Sequence, residues 1–343
     1  MAKKMYYSDY LRLNKILHAQ YPVSARSKKP AHDEMLFIIT HQVYELWFKQ
    51  ILHELKSVRK IFSNPINDNS PAMPIAVHRL KRVVTILSVA VEQINIMETM
   101  TPLDFLDFRN MLRPASGFQS YQFKIIEAML GLRMQDRYMG SYYTAQLKPQ
   151  HIRLIRQAER QKSLLELVGQ WLERMPFFDA RFWPGVMQED DPAAHVFWKK
   201  YKAAYKKSLI PEEKGNLTLF NQTFFDDSTQ PRRLSPRACR SALFIMLYRD
   251  YPLLQHPFQL LNTLLDIDSM LAAWRYRHMH MVHRMIGTRV GTGGSSGRDY
   301  LRAALDSHVI FAELAALSTF LIERTRLPRL HPQLERHLGF VKS

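Results

Sequence analysis

Residues 258–286, FQLLNTLLDIDSMLAAWRYRHMHMVHRMI, decide the fold. At about 100° per residue, Leu260, Leu264, Ile267, Leu271, Trp274, His278, Val282 and Met285 fall within one narrow arc, the pattern of a long buried helix. His278 stands in the middle of that apolar stripe. The residues alone leave two uses for it open. One is a core imidazole hydrogen-bonded to a neighbour; the other is an axial ligand to a haem iron, whose macrocycle supplies the other four nitrogens. His280 and His283 lie at offsets that turn them to different faces, unlike the four-residue spacing of paired helical ligands, so a multi-histidine metal site is not expected.

Outward from this helix the same periodicity recurs. Leu80, Val84, Leu87, Val91 and Ile94 repeat at three to four residues. The stretch from Asp33 to Lys56 opens on two acids suited to a helix N-terminus and carries Phe37, His41, Tyr44, Phe48, Ile51 and Leu55 on one stripe. Thr101, Pro102 and Asp104 mark a fresh helix start that presents Phe105 and Arg109 one turn apart, and Pro114 ends it. Alternating strand-like runs are scarce, and only 12 glycines serve the chain. The expected class is all-α, with a helix-bundle core. Prolines and lysine pairs change the character of the sequence near its middle, so residues 134–236 read as a basic helical and loop insertion. It sits within one domain spanning 1–343.

With 48 Lys plus Arg against 31 Asp plus Glu, the 343-residue chain carries a formal charge of +17. That balance concerns partners and solubility, not fold. A composition 46% hydrophobic and 11% aromatic can fill a large core, which excludes global disorder. The single Cys239 excludes a disulfide framework and thiolate clusters and suits a reducing compartment. The amino terminus lacks the apolar stretch of a secretion signal, and the longest compact apolar run, Ala242 to Tyr248, falls far short of the ~20 residues that span a bilayer. The expectation is a cytoplasmic protein with no membrane partner.

Three further features carry chemistry. His41 is a second inward histidine, one turn after Phe37. Paired with His278 it could clasp haem from both sides, or it could face a substrate. Arg109 beside Phe105 is either a snorkelling surface arginine or an anion-binding group. Gly291-Thr292-Gly293-Gly294-Ser295-Ser296-Gly297 fails both the Walker and the dinucleotide glycine spacings, which leaves a linker or a ligand-ordered lid.

These blocks together resemble the tryptophan 2,3-dioxygenase family. The resemblance rests on HDEMLFIITHQVYELWFK (32–49), Phe108-Arg109 with PASGFQS (114–120), WRYRH (274–278) and GTGGSSG (291–297), in family order, and it runs from Tyr7 to about Pro328. It implies an all-α homotetramer with one haem b per protomer. Using ferrous iron and O2, such an enzyme cleaves the indole C2–C3 bond of L-tryptophan to give N-formyl-L-kynurenine, the first step of tryptophan degradation by the kynurenine route.

Carried over by position, the resemblance makes His278 the axial ligand of the haem iron and His41 the catalytic histidine near the indole N–H. Phe37 and Phe105 wall the ring, with Ile38, Ile39 and Thr40 beside them. Arg109 pairs with the carboxylate and Thr292 holds the amino acid's polar end. Tyr7 and Tyr10 resemble tyrosines that reach a neighbouring protomer's pocket, and Ser116 and Gly117 match part of the haem surround.

Two other readings compete. A haem monooxygenase acting on a related indole would add one oxygen atom instead of two. A helical nucleic-acid binder would use the basic surface. The basic residues are scattered and form no recognised binding module, so no nucleic-acid partner is expected.

Overall fold

The computed structural model describes residues 4–64, 66, 71–137, 140–183, 192–226, 232–289, 301–303, 305 and 307–339. Among them there is no strand. The chain opens with two short helices, α1 (Tyr7–Leu11) and α2 (Leu13–Ile16), and then builds its framework from α3 (Glu34–Phe62) and α4 (Ala72–Glu92). The single turn α5 (Ile94–Met97) leads into α6 (Pro102–Arg109), and α7 (Tyr121–Leu130) follows. The middle of the chain holds α8 (Pro149–Glu159), α9 (Leu164–Glu173), α10 (Val196–Ser208) and α11 (Asn216–Phe224). Then come α12 (Pro236–Leu247), the long α13 (Pro252–Ile286), α14 (Ala312–Ala316) and α15 (Pro332–Leu338). The all-α expectation holds.

The core lies where α4 packs between α3 and α13. Ile51, Leu55 and Val58 of α3 meet Leu80 and Val83 of α4, and Leu260, Leu264, Ile267 and Leu271 of α13 close the stack, all fully buried. Each such side chain contributes about 1.5–3 kcal/mol by leaving water. On α4 the buried stripe runs through Ala76, Leu80, Val83, Leu87 and Ala90 and continues to Ile94 at the start of α5, while Val84 and Val91 are only half-buried. The expected stripe is thus rotated, because two neighbouring helices, not one, set which residues lose water. Helix α13 starts at Pro252, ahead of the expected Phe258, and continues through Pro257. Pro252 occupies the first helical position, where its missing N–H costs nothing.

Side chains fix the ends of the helices that carry the site. At α6 the Thr101 N–H donates to Asp104 Oδ2 at 2.8 Å and the Asp104 N–H donates to Thr101 Oγ1 at 3.3 Å, a reciprocal cap with Pro102 behind it. Glu34 is buried at the head of α3, where its carboxylate accepts from the Val23 and Ser24 N–H groups at 2.7 and 2.8 Å. It therefore fastens the preceding turn to α3 as well as suiting the helix dipole.

Within 134–236, Trp171, Trp198, Tyr201, Tyr205, Phe220 and Phe224 join the same continuous buried cluster as α3, α4 and α13. The Tyr201 and Tyr205 hydroxyls donate to the Phe320 and Thr319 carbonyls at 2.6 and 3.1 Å, anchoring α10 to the C-terminal segment. Lys199, Lys200, Lys206 and Lys207 occupy its solvent side. No single helix among the described residues is long and apolar enough to cross a membrane.

Candidate active site

A second, smaller apolar cluster forms where α3, α6 and α13 converge. Met97, Met100, Phe108 and Met285 are buried in it, and Leu36, Phe37, Phe105 and Met281 pack against them. The rings of Phe37 and Phe105 stack with centroids 5.7 Å apart, and Phe108 meets them edge-on at 5.5 and 5.4 Å. Phe105 and Arg109 share a face of α6 because they lie four residues apart. The aromatic wall and the cation are therefore delivered together by one capped helix.

His41 extends this wall, its ring centroid 4.1 Å from that of Phe37. Its Nδ1 lies 2.7 Å from the Phe37 carbonyl oxygen. A carbonyl can only accept, so Nδ1 carries the proton and Nε2 keeps its lone pair. Burial lowers the His41 pKa below its ordinary value, against weaker opposing effects of that hydrogen bond and of Glu45, so the neutral ring dominates at pH 7. The Thr40 carbonyl next to it accepts from Gln93 Nε2 at 2.9 Å, tying this stretch of α3 to the end of α4. Ile38 is half-buried and Ile39 is exposed, so Ile39 faces away from the Phe37–His41 side.

His278 lies on α13 within electrostatic reach of His41. Burial first, and the charge of His41 second, lower its pKa to about 4, which leaves a neutral imidazole at physiological pH. It stacks on Trp274 at 5.0 Å with the planes only 6° apart. Its Nδ1 is buried without a hydrogen-bond partner among the described residues. A neutral, desolvated imidazole is the donor form that metals take. Among the described residues no group of three or more histidine, cysteine, aspartate or glutamate side chains converges on a common point. A metal held here by His278 would bring its other ligands with it, and the residues present thus fit a haem.

Arg109 is 4% exposed. Burial lowers its pKa, and the nearby cations Arg113 and Arg289 lower it further. An anion is what such a site accommodates.

Thr292 and the glycine run Gly291 to Gly297 lie outside the described residues. Ser116 caps the turn Gly117–Gln119, its hydroxyl accepting from the Phe118 N–H at 3.3 Å, and a Cβ at Gly117 would meet open space. Tyr7 and Tyr10 on α1 are 75% and 71% exposed and do not join the aromatic wall of their own chain.

The sequence profile of the family described as tryptophan 2,3-dioxygenase matches residues 1–321. The chain belongs to the tryptophan 2,3-dioxygenase family. A tryptophan 2,3-dioxygenase of Bdellovibrio bacteriovorus is 43% identical, covering 98% of each chain. Those of Xenopus tropicalis and Dictyostelium discoideum are 41% and 39% identical, covering 97% and 99% of this chain and 86% and 90% of their own.

Some of the site escapes a reading of the sequence. Met97, Met100 and Met281 belong to the site's apolar cluster but look like ordinary core residues. A buried ionic group centred on α7 is also hidden. Glu127 of α7 accepts from Arg137 at 2.5 Å and from Arg275 of α13 at 2.7 Å, with His308 Nδ1 at 3.5 Å. The one available signal is a carboxylate inside the apolar run KIIEAML.

Proposed function

We propose that this chain is a haem dioxygenase that opens the indole ring of L-tryptophan at C2–C3, placing both atoms of O2 in N-formyl-L-kynurenine. The observation that carries this reading is the pairing of two neutral inward histidines. His278 is held as a bare donor, and His41 is fixed in one tautomer with Nε2 left to accept a proton. The two roles are therefore unequal, which favours one iron ligand and one substrate-facing base over a two-histidine electron carrier.

His278 would hold haem b, whose ferrous iron binds and activates O2, chemistry that no side chain here supplies. His41 Nε2 accepts the hydrogen bond of the indole N–H, orienting the ring and drawing electron density toward C3. Phe37 and Phe105 flank the indole, with Ile38, Ile39 and Thr40 as the helix segment behind them, and the methionines and Phe108 keep water out. Arg109 grips the carboxylate with two parallel N–H donors, compensating charge that the aromatic pocket would otherwise strip of water. We assign Thr292 to the ammonium end of the substrate, and Ser116 and Gly117 to the haem edge, where the open space before Gly117 admits a flat group.

The reading extends to a homotetramer. Tyr7 and Tyr10, bare in a single chain together with Met5, Tyr6 and Tyr21, would be covered by a neighbouring protomer at its pocket. One catalytic domain spans the chain, with 134–236 as its variable segment. A cytoplasmic setting fits the lone Cys239, a thiol pushed up to about 12 by burial.

The test is a titration of the purified protein with haem, reduction, and addition of L-tryptophan and air. A ferrous haem spectrum followed by the absorbance of N-formylkynurenine is expected. A haem-loaded protein that leaves L-tryptophan intact would contradict the proposal.

A further inference from the structure

Imidazoles that ligate metals are usually oriented by a hydrogen bond from the second ring nitrogen to a carbonyl or carboxylate. No protein group among the described residues makes that bond to His278 Nδ1. The terminal torsion of a histidine is broad, so its rotamer alone does not fix the ring plane.

Trp274 lies four residues earlier on α13, where side chains are neighbours. Its indole lies flat on the imidazole, 5.0 Å away and 6° from parallel. The indole is itself in contact with three further rings. Tyr44 and Phe48 of α3 meet it edge-on at 6.3 and 6.4 Å, and Phe123 of α7 backs it at 4.9 Å. Tyr44 is in turn fixed by its hydroxyl, which donates to the Ala90 carbonyl of α4 at 2.9 Å. The plane of His278 is thus referred, through one indole, to three other helices.

We propose that Trp274 is the positioning residue for His278: it sets the ring plane of the imidazole by stacking, in the role a hydrogen-bonded carboxylate or carbonyl plays elsewhere. This rests on the reading that His278 holds a haem iron. A face-held imidazole with no protein acceptor on Nδ1 among the described residues keeps little imidazolate character, so its donation to the iron depends on ring orientation instead of on proton sharing. Replacing the indole by a non-planar group frees the ring to rotate and spreads the iron–imidazole geometry.

The experiment compares Trp274→Leu, Trp274→Phe, Phe123→Leu and His278→Ala with the parent as haem-loaded proteins. Helix content is checked by circular dichroism, and the ferrous iron–imidazole stretch is read by resonance Raman together with haem affinity. Trp274→Leu is expected to broaden and shift the stretch and to weaken haem binding about 10–100-fold, as loss of an orienting partner does. Trp274→Phe, which keeps a flat ring, is expected to restore most of both. Phe123→Leu, which loosens the indole from behind, is expected to broaden the same band to a smaller extent. A band and an affinity identical to the parent in folded Trp274→Leu overturn the proposal. Should that variant not fold, an unchanged band in Phe123→Leu overturns it. Persistence of the stretch in His278→Ala defeats the haem-ligand reading itself, a separate result.

Discussion

The Nδ1 of His41 donates to the Phe37 carbonyl one turn earlier on α3, at 2.7 Å, while the two rings lie in contact at 4.1 Å. The helix backbone thereby decides which nitrogen of His41 is basic, and the same contact aligns that nitrogen beside the aromatic wall. Phe37, which we propose flanks the indole, and His41, which we propose accepts the hydrogen bond of its N–H, are thus set by one helical turn.

Removing the imidazole should therefore slow turnover without releasing the haem. His41→Ala is expected to lower kcat on the order of 10²-fold, the modest end of general-base contributions, with an unaltered haem-to-protein ratio. Because burial lowers the His41 pKa below its ordinary 6.5, kcat/KM of the parent should stay level down to that pH and decline only beneath it, as the ring takes up a proton. An acid limb centred above 6.5, or an equal loss of haem and activity in the variant, would contradict this placement.

The sequence made the ends of this site legible and hid its middle. The stripe of α13, the cap of α6 and the positions of His41, Arg109 and His278 are local patterns, readable because a helix repeats every few residues. Glu127 and Arg275 are 148 residues apart in the chain, so their pairing is set by how α7 and α13 meet and by nothing near either residue. The rotated stripe on α4 has the same origin. Val83 and Ala90 are buried in place of Val84 and Val91 because α3 and α13 press from two directions.

Arg109 should select the amino-acid end of the substrate. Arg109→Ala is expected to cost about 2–5 kcal/mol in kcat/KM for L-tryptophan, since a carboxylate entering a partly dry pocket loses its partner. Arg109→Lys should recover little, because an ammonium cannot form the planar double contact. Thr292→Ala is expected to cost only about 0.5–1.5 kcal/mol, one hydrogen bond. Steady-state kinetics with L-tryptophan and with tryptamine check the assignment. An Arg109→Ala enzyme with the parent's preference for L-tryptophan over tryptamine would remove the carboxylate from this site.

The buried carboxylate of Glu127 should govern acid stability. Burial alone would raise its pKa, but Arg137, a hydrogen bond with His308, and Arg275 outweigh that and hold it well below its ordinary 4.5. In the unfolded chain the group takes up its proton first, so its contribution is complete above pH 4.5 and is lost as pH falls through the folded value. Glu127→Gln leaves two arginines without their carboxylate and is expected to lose about 3–5 kcal/mol at neutral pH. Urea unfolding at a series of pH values should show a shallower acid decline in that variant than in the parent. Parallel curves would mean that the carboxylate's charge contributes nothing.

The most direct test of the account is the mass of the product formed from L-tryptophan by the haem-loaded, reduced protein under ¹⁸O2. Two labelled oxygen atoms in each molecule of N-formylkynurenine are predicted, one on the formyl group and one on the new ketone. A product carrying a single labelled atom would contradict the dioxygenase assignment and identify a monooxygenase instead.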